Sequence, residues 1–490
     1  MYERRQPEHT LLYKLIEQHY PAFVAHLAEQ DRMLPKYVQN EFEEYLKCGI
    51  LSHGFLRVCC ECCHHERHVA FSCKRRGFCP SCCAKRMTES AALLVDTVLP
   101  HQPMRQWVLS IPYPLRLLFA SQPEVMGKAL RIVYRTIESH LIKKAGYTKT
   151  TARTGAVTLI QRFGSSLNLN IHFHMIFLDG VFVDDEGDKN GQRFKPVTQH
   201  QTSEIVELAH KISVRLAGYL DRAGLIEGDA ESQYLAEDAL NAGEMSDHQG
   251  YSVNYRICVG PQKGRKVFTL QTLPAMQDDM DSGTLLGNVA GFSLHAGVAA
   301  KADERDKLER LCRYIARPPV STKRLSLTVD GNIRYELKTP YRDGTTHIIF
   351  EPLDFMSKLA ALVPVPRVNL TRYHGVFAPN SSHRSKIIIK PQAKVIVGNE
   401  PSLKGEESQG TKRAAMTWAQ CLKRAFKIDI EICEICKGPA KVIACITDPV
   451  VINQILTYLK LKQGSHIGML PASRAPPARS LHNRGLAGGS

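Results

Sequence analysis

Nine of the chain's 15 cysteines fall between Cys48 and Cys83. A segment so rich in thiols must be held by cross-links or by metal, and the clustering favours metal in a reducing compartment over a spread disulfide framework. Within "CCECCHHERHVAFSCKRRGFCPSCCAKR", Cys60 and Cys63 form one C-x2-C pair and Cys79 and Cys82 a second, with 15 residues between them. Two knuckles at this spacing read as four thiolates around one structural Zn²⁺. Cys59, Cys62 and Cys83 offer alternative registers, and Cys73 lies between the knuckles. Five Lys or Arg and no acid between residues 73 and 86, among them Lys74, Arg75 and Arg76, point the same ribbon at phosphates. A further C-x2-C, Cys433 and Cys436, stands nearly alone, with Cys445 and Cys421 as helpers; a single knuckle reads first as a turn or core feature.

The 490 residues carry a net charge of +16, which favours an anionic partner, nucleic acid first. Charge is also segregated: residues 355 to 399 hold seven Lys or Arg and no acid, residues 223 to 255 seven acids and no Lys or Arg. No run of about 18 apolar residues exists, so a membrane span is not expected. The opening "MYERRQPEHT" lacks the apolar core of a signal peptide, and a cytoplasmic location is expected.

Hydrophobic periodicity divides the chain. Residues 1–92 read as two helices, the second stopped by Gly49, followed by the zinc-ribbon-like, DNA-binding segment. Residues 93–400 read as a mixed α+β domain with a loop-rich acidic insertion near 223–255. A linker at 401–411, a small module at 412–462 and a disordered basic tail at 463–490 complete the expectation.

In "NLNIHFHMIFLDG" alternate side chains point to opposite faces of an extended chain. Leu169, Ile171, Phe173, Met175 and Phe177 fall on one face, and Asn168, Asn170, His172 and His174 on the other. Imidazoles at i and i+2 can share a divalent ion. His295 in "FSLHAGV" is the first choice for a third ligand, with His347 and His374 as alternatives. A metal beside a basic surface suits phosphodiester chemistry, which needs a nucleophile. Helix 303–317, ended by Pro318 and Pro319, offers Tyr314 beside an apolar stripe of Leu308, Leu311, Cys312 and Ile315, with Arg310, Arg313 and Arg317 around it.

Together, "HFH", "SCKRRGFCPSCCAKRM", "LCRYIARPP" and "RYHGVFAPN" resemble the HUH endonuclease superfamily, and within it the rolling-circle transposases of IS91-like insertion sequences, over about residues 40 to 462. The resemblance implies a ferredoxin-like HUH sheet, Mg²⁺ or Mn²⁺ at the histidine pair, and attack by Tyr314 on single-stranded DNA at insertion-sequence ends in a bacterial, nucleoid-associated setting. Relatives with two tyrosines one helical turn apart differ here, because Arg310 stands four residues before Tyr314. Arg372, in "TRYHG", joins the expected DNA contacts, and neighbouring Tyr373 is the rival nucleophile. The alternatives are a plasmid replication initiator or relaxase with the same nicking chemistry, and a zinc-dependent DNA-binding regulator without cleavage.

Overall fold

The computed structural model describes residues 6–184, 192–228, 233–235, 243–274, 285–388 and 431–464. The expected linker, the basic tail from residue 465 on and Cys421 lie outside the described residues, while 463 and 464, expected in the tail, end a helix. Helices Leu11–Ala28 (α1) and Lys36–Lys47 (α2) open the chain, and Gly49, with φ +84, supplies the left-handed residue that stops α2. A hairpin of Phe55–Cys60 (β1) and Glu66–Ala70 (β2) follows, then helix Pro80–Leu93 (α3), capped by Cys79. Its end widens into a π-helical turn over Leu94–Val98, closed by the Leu99 amide donating to the Leu94 carbonyl.

The central layer is a six-stranded antiparallel sheet. Its strands are Met104–Ser110 (β3), Gly155–Phe163 (β4), Leu169–Leu178 (β5), Leu286–Val289 (β6), Phe292–Ala300 (β7) and Thr371–Gly375 (β8), in the order β6-β7-β3-β5-β4-β8. The hairpin β4–β5 pairs Gln161 with His172 and Leu159 with His174, and β3 sets Ser110 and Val108 opposite the same two histidines. Alternation sorts the faces as expected. Phe173, Met175 and Phe177 pack with Trp107 under helices Pro123–Lys144 (α4) and Thr202–Arg222 (α5). Ile176 and Leu178 instead join Val157 and Leu159 under α3 and helix Arg305–Ile315 (α6). This mixture of helices and antiparallel sheet is the expected α+β class.

The N-terminal helices do not stand apart. Leu12, Ile16, Phe23 and Phe42 share a core with Tyr335 and Phe350 of a second, four-stranded sheet and with Phe355 and Leu359 of helix Pro352–Leu362 (α7). The end of the acidic stretch is also more ordered than a loop. It forms helix Ser246–Val253, whose Ser252 hydroxyl accepts from the Leu169 amide at 2.9 Å. Strand Ala440–Ile446 (β9) pairs antiparallel with β1, and helix Pro449–Gly464 (α8) follows it. No helix among the described residues is long and apolar enough to cross a membrane.

Candidate active site

The two N-terminal cysteine pairs do not meet around one ion. Cys79 and Cys82 gather instead with Cys48 and Cys73, while Cys60 and Cys63 gather with Cys433 and Cys436. The expected set of Cys60, Cys63, Cys79 and Cys82 is therefore corrected to two clusters, because the β1–β2 hairpin carries the first pair away from the start of α3. In the Cys48 cluster the Cys48–Cys82, Cys48–Cys79 and Cys73–Cys82 sulfurs stand 3.7, 3.7 and 3.4 Å apart, and all four lie within 4.8 Å of one another. Zn–S bonds of about 2.3 Å on a tetrahedron imply edges of about 3.8 Å, so this set fits zinc. Cys59, Cys62, Cys83 and Cys445 belong to neither cluster.

The Cys48 cluster braces the basic loop. Glu41 of α2 accepts from the amides of Arg76 and Gly77, and the Arg86 guanidinium donates to the carbonyls of Lys74 and Arg75. Arg76 in turn donates to the carbonyls of Val365 and Val368, at 3.2 and 2.7 Å. Lys74 is exposed, whereas Arg75 and Arg76 are half-buried.

His172 and His174 face the same side of β5, with ring centroids 4.8 Å apart. Burial pushes their pKa values down to about 4 and about 2, helped by the nearby Arg317 charge, so both rings are neutral. A neutral imidazole has one N–H. His172 Nδ1 donates to the Asn170 carbonyl at 3.0 Å, which turns the Nε2 lone pair toward Gln161 Oε1, 2.7 Å away. The Gln161 amide is oriented by its own donation to the Ile315 carbonyl at 3.0 Å. Two lone pairs at this distance repel unless a cation or proton lies between them. His174 Nδ1 lies 2.8 Å from the Gln106 amide, while its Nε2 is buried without a hydrogen-bond partner. This donor set fits a small divalent ion at His172, His174 and Gln161.

His295 is not brought to the pair. It lies in the same cross-strand row as His174, but Val108 of β3 stands between them. Two strand spacings put their backbones about 10 Å apart. Its ring also folds along its own strand, Nε2 lying 3.0 Å from where a Cβ on Gly297 would stand. His347 sits in the four-stranded sheet, and His374 stacks on Tyr134 at 4.7 Å. Among the described residues, no third His, Cys or carboxylate forms a cluster with the pair.

Tyr314 is 44% exposed, beside the stripe of α6 that Leu308, Cys312 and Ile315 bury. The helix is tied at both ends. Arg305 donates to the carbonyls of Leu99 and Pro100 at 3.0 and 2.9 Å, and Ile315 accepts from Gln161. The Arg317 guanidinium lies 4.4 Å and the Lys338 ammonium 4.3 Å from the Tyr314 ring centre. Partial burial would raise the phenol pKa, but these two cations outweigh it and hold it below the ordinary value. Tyr373 differs, since burial raises its pKa. Arg313 is paired with Glu309 at 2.7 Å, Arg310 is exposed, and Arg372 is half-buried with its Nε unpartnered.

A cavity of about 350 Å³ opens beside Gln161 and Ile315, and Arg76, Arg86, Arg162 and Arg317 line it without a carboxylate. Arg162 is 7% exposed, its Nε and Nη2 have no partner, and burial pushes its pKa down to about 10. A buried guanidinium so placed calls for an anion. Gln161, Arg162 and Lys338 escaped the sequence reading. Gln161 could have been found from the hairpin register opposite His172; Lys338 follows a strand of another sheet and carries no local signal.

Residues 155–386 match the transposase family Y2_Tnp, and residues 15–111 match the transposase zinc-binding domain family Zn_Tnp_IS91. No curated protein and no solved structure matches the chain.

Proposed function

The chain belongs to the IS91-like transposases, a family that acts on DNA and carries a zinc-binding domain, and from this premise we propose that it cuts and transfers single DNA strands through Tyr314 in rolling-circle transposition. The observation that carries the reading is Arg317. Its guanidinium lies against the Tyr314 ring, and its charge reaches both His172 and His174. The Tyr314 phenol gives up its proton to solvent, the phenolate oxygen attacks a backbone phosphorus, the P–O3′ bond breaks, and the departing 3′-oxyanion takes a proton from solvent, leaving a 3′-OH and a 5′-phosphotyrosine. The phosphodiester energy is kept in that bond for rejoining at a target. Mg²⁺ or Mn²⁺ at the histidine pair, when bound, supplies Lewis-acid stabilisation of the attacked phosphate. His172, His174 and Gln161 hold that position, Arg317 and Lys338 favour the phenolate, and the arginine-lined cavity takes the neighbouring phosphates. His295, Arg310 and Arg372 stay outside this inner set, and Arg310 and Arg372 serve the path of the strand.

The test uses purified protein, single-stranded element ends and divalent metal. A denaturing gel should show DNA covalently joined to protein, with peptide mapping placing the link on Tyr314. Tyr314→Phe should bind DNA and form no adduct. A link on Tyr373, or an adduct that survives Tyr314→Phe, overturns the assignment.

A further inference from the structure

The Cys60, Cys63, Cys433 and Cys436 cluster lies partly outside both family matches, since its last two members come from the C-terminal segment. Cys60 and Cys436 sulfurs are 3.4 Å apart, and Cys63 and Cys433 sulfurs 3.5 Å. We infer that these four thiolates bind a second structural Zn²⁺, which fastens the C-terminal segment onto the N-terminal ribbon as its third strand.

Each half is already shaped as a metal knuckle. On the first, the amides of Cys62 and Cys63 point at Cys60 Sγ, at 3.4 and 3.5 Å. On the second, the amide of Gly438 points at Cys436 Sγ at 3.4 Å, and the Cys433 amide donates to the Gly438 carbonyl at 2.8 Å. Each turn passes through a left-handed residue, His64 at φ 55 and Lys437 at φ 62. Amides aimed at sulfur stabilise thiolate, the form that binds zinc. The knuckles also interlock, because a Cβ on Gly438 would stand 2.5 Å from Cys62 Sγ.

The surrounding pairing is independent of the sulfurs. β9 runs antiparallel to β1 from Ile446 opposite Phe55 to Ala440 opposite Cys60, and the Glu61 amide donates to the Pro439 carbonyl. Lys441 meets Glu61 at 2.5 Å and Arg67 meets Glu434 at 3.4 Å. A three-stranded sheet with exposed Val442 and Ile443 on β9 has little core of its own. A zinc closing a loop of about 370 residues supplies the missing stability, since closure of long loops removes the most unfolded-state entropy. Thiolate-only coordination selects zinc over hard cations.

The experiment uses the full chain, reduced and desalted, with zinc measured by elemental analysis. Wild type should hold two zinc ions per chain, and Cys433→Ser/Cys436→Ser should hold one. Cys62→Ser, outside both clusters, should keep two. A protease site placed among residues 401–411 gives the second readout. After cutting, the C-terminal fragment should co-elute with the rest in wild type and separate in the double variant. Where the double variant does not fold, Co²⁺ substitution of wild type replaces it, two equivalents giving thiolate charge-transfer bands. One zinc per chain in wild type, two in the double variant, or Cys60–Cys436 and Cys63–Cys433 disulfides under non-reducing conditions overturns the inference.

Discussion

Arg162 is the residue whose energetics are least explained by the fold alone. Its guanidinium is buried, carries unpartnered nitrogens and faces a cavity shared with three other arginines. An uncompensated buried charge destabilises the fold, so an apolar side chain of similar length at this position removes a cost rather than a support. Arg162→Met should therefore leave the urea midpoint unchanged or raised while weakening single-strand binding. The logarithmic salt dependence should flatten by about one unit, as for a lost phosphate contact. A variant that unfolds more easily and binds DNA normally would make Arg162 a structural residue. Lys338 acts at the same scale. Burial raises the Tyr314 pKa, whereas Arg317 and Lys338 lower it, and the net direction is down. Removing one cation must move it up, so Lys338→Met should shift the pH–rate profile of adduct formation to higher pH. At neutral pH the rate should fall by roughly 10–100-fold. An unshifted profile with a normal rate would remove Lys338 from the site.

Among the elements, the β4–β5 hairpin was the most legible, because period-two alternation is a local property of the chain. It placed Phe173 and Met175 in one core and turned His172 and His174 to the other face. Helix α6 was legible for the same reason, Leu308, Cys312 and Ile315 recurring at helical spacing. The neighbours of the histidine pair were not, since they depend on cross-strand register, which sets Gln161 opposite His172 and leaves Val108 between His174 and His295. The packing of helix Ser246–Val253 on α7 was hidden too, and it carries a pH prediction. His248 is 1% exposed, lies 2.8 Å from the Ser357 hydroxyl, and has its pKa pushed down to about 4 by burial. The folded state holds it neutral while the unfolded state protonates near the ordinary 6.5. Stability from this group is therefore complete above about pH 6.5 and is lost as pH falls toward 4, by about 3 kcal/mol in all. His248→Gln should flatten that part of a melting-temperature profile; an unchanged acid slope would assign the loss elsewhere.

At the scale of the whole molecule, the Cys48 cluster sits where two hydrophobic cores meet, each of which mixes residues of the expected 1–92 and 93–400 domains. Cys48 ends α2, which packs with α7 and the four-stranded sheet, while Cys79 and Cys82 begin α3, which packs on the central sheet. Spacing rules could not pair Cys48 with Cys73, because a lone cysteine at a helix end carries no motif and the meeting is tertiary. The same joint sets the wall of the arginine-lined cavity. Glu41 on α2 fixes the amides of Arg76 and Gly77, and Arg76 reaches across to the carbonyls of Val365 and Val368 ahead of β8. Losing the metal should thus loosen the loop that carries Lys74, Arg75 and Arg76 while leaving Tyr314 and the histidines on their own elements. Cys79→Ser should lower zinc content by one per chain, weaken single-strand binding about tenfold and flatten its salt dependence by about two units. Saturating DNA at low salt should then restore most adduct formation, because Tyr314 and its neighbouring cations are untouched. Loss of adduct that no DNA concentration recovers would show instead that the zinc holds the catalytic face itself in register.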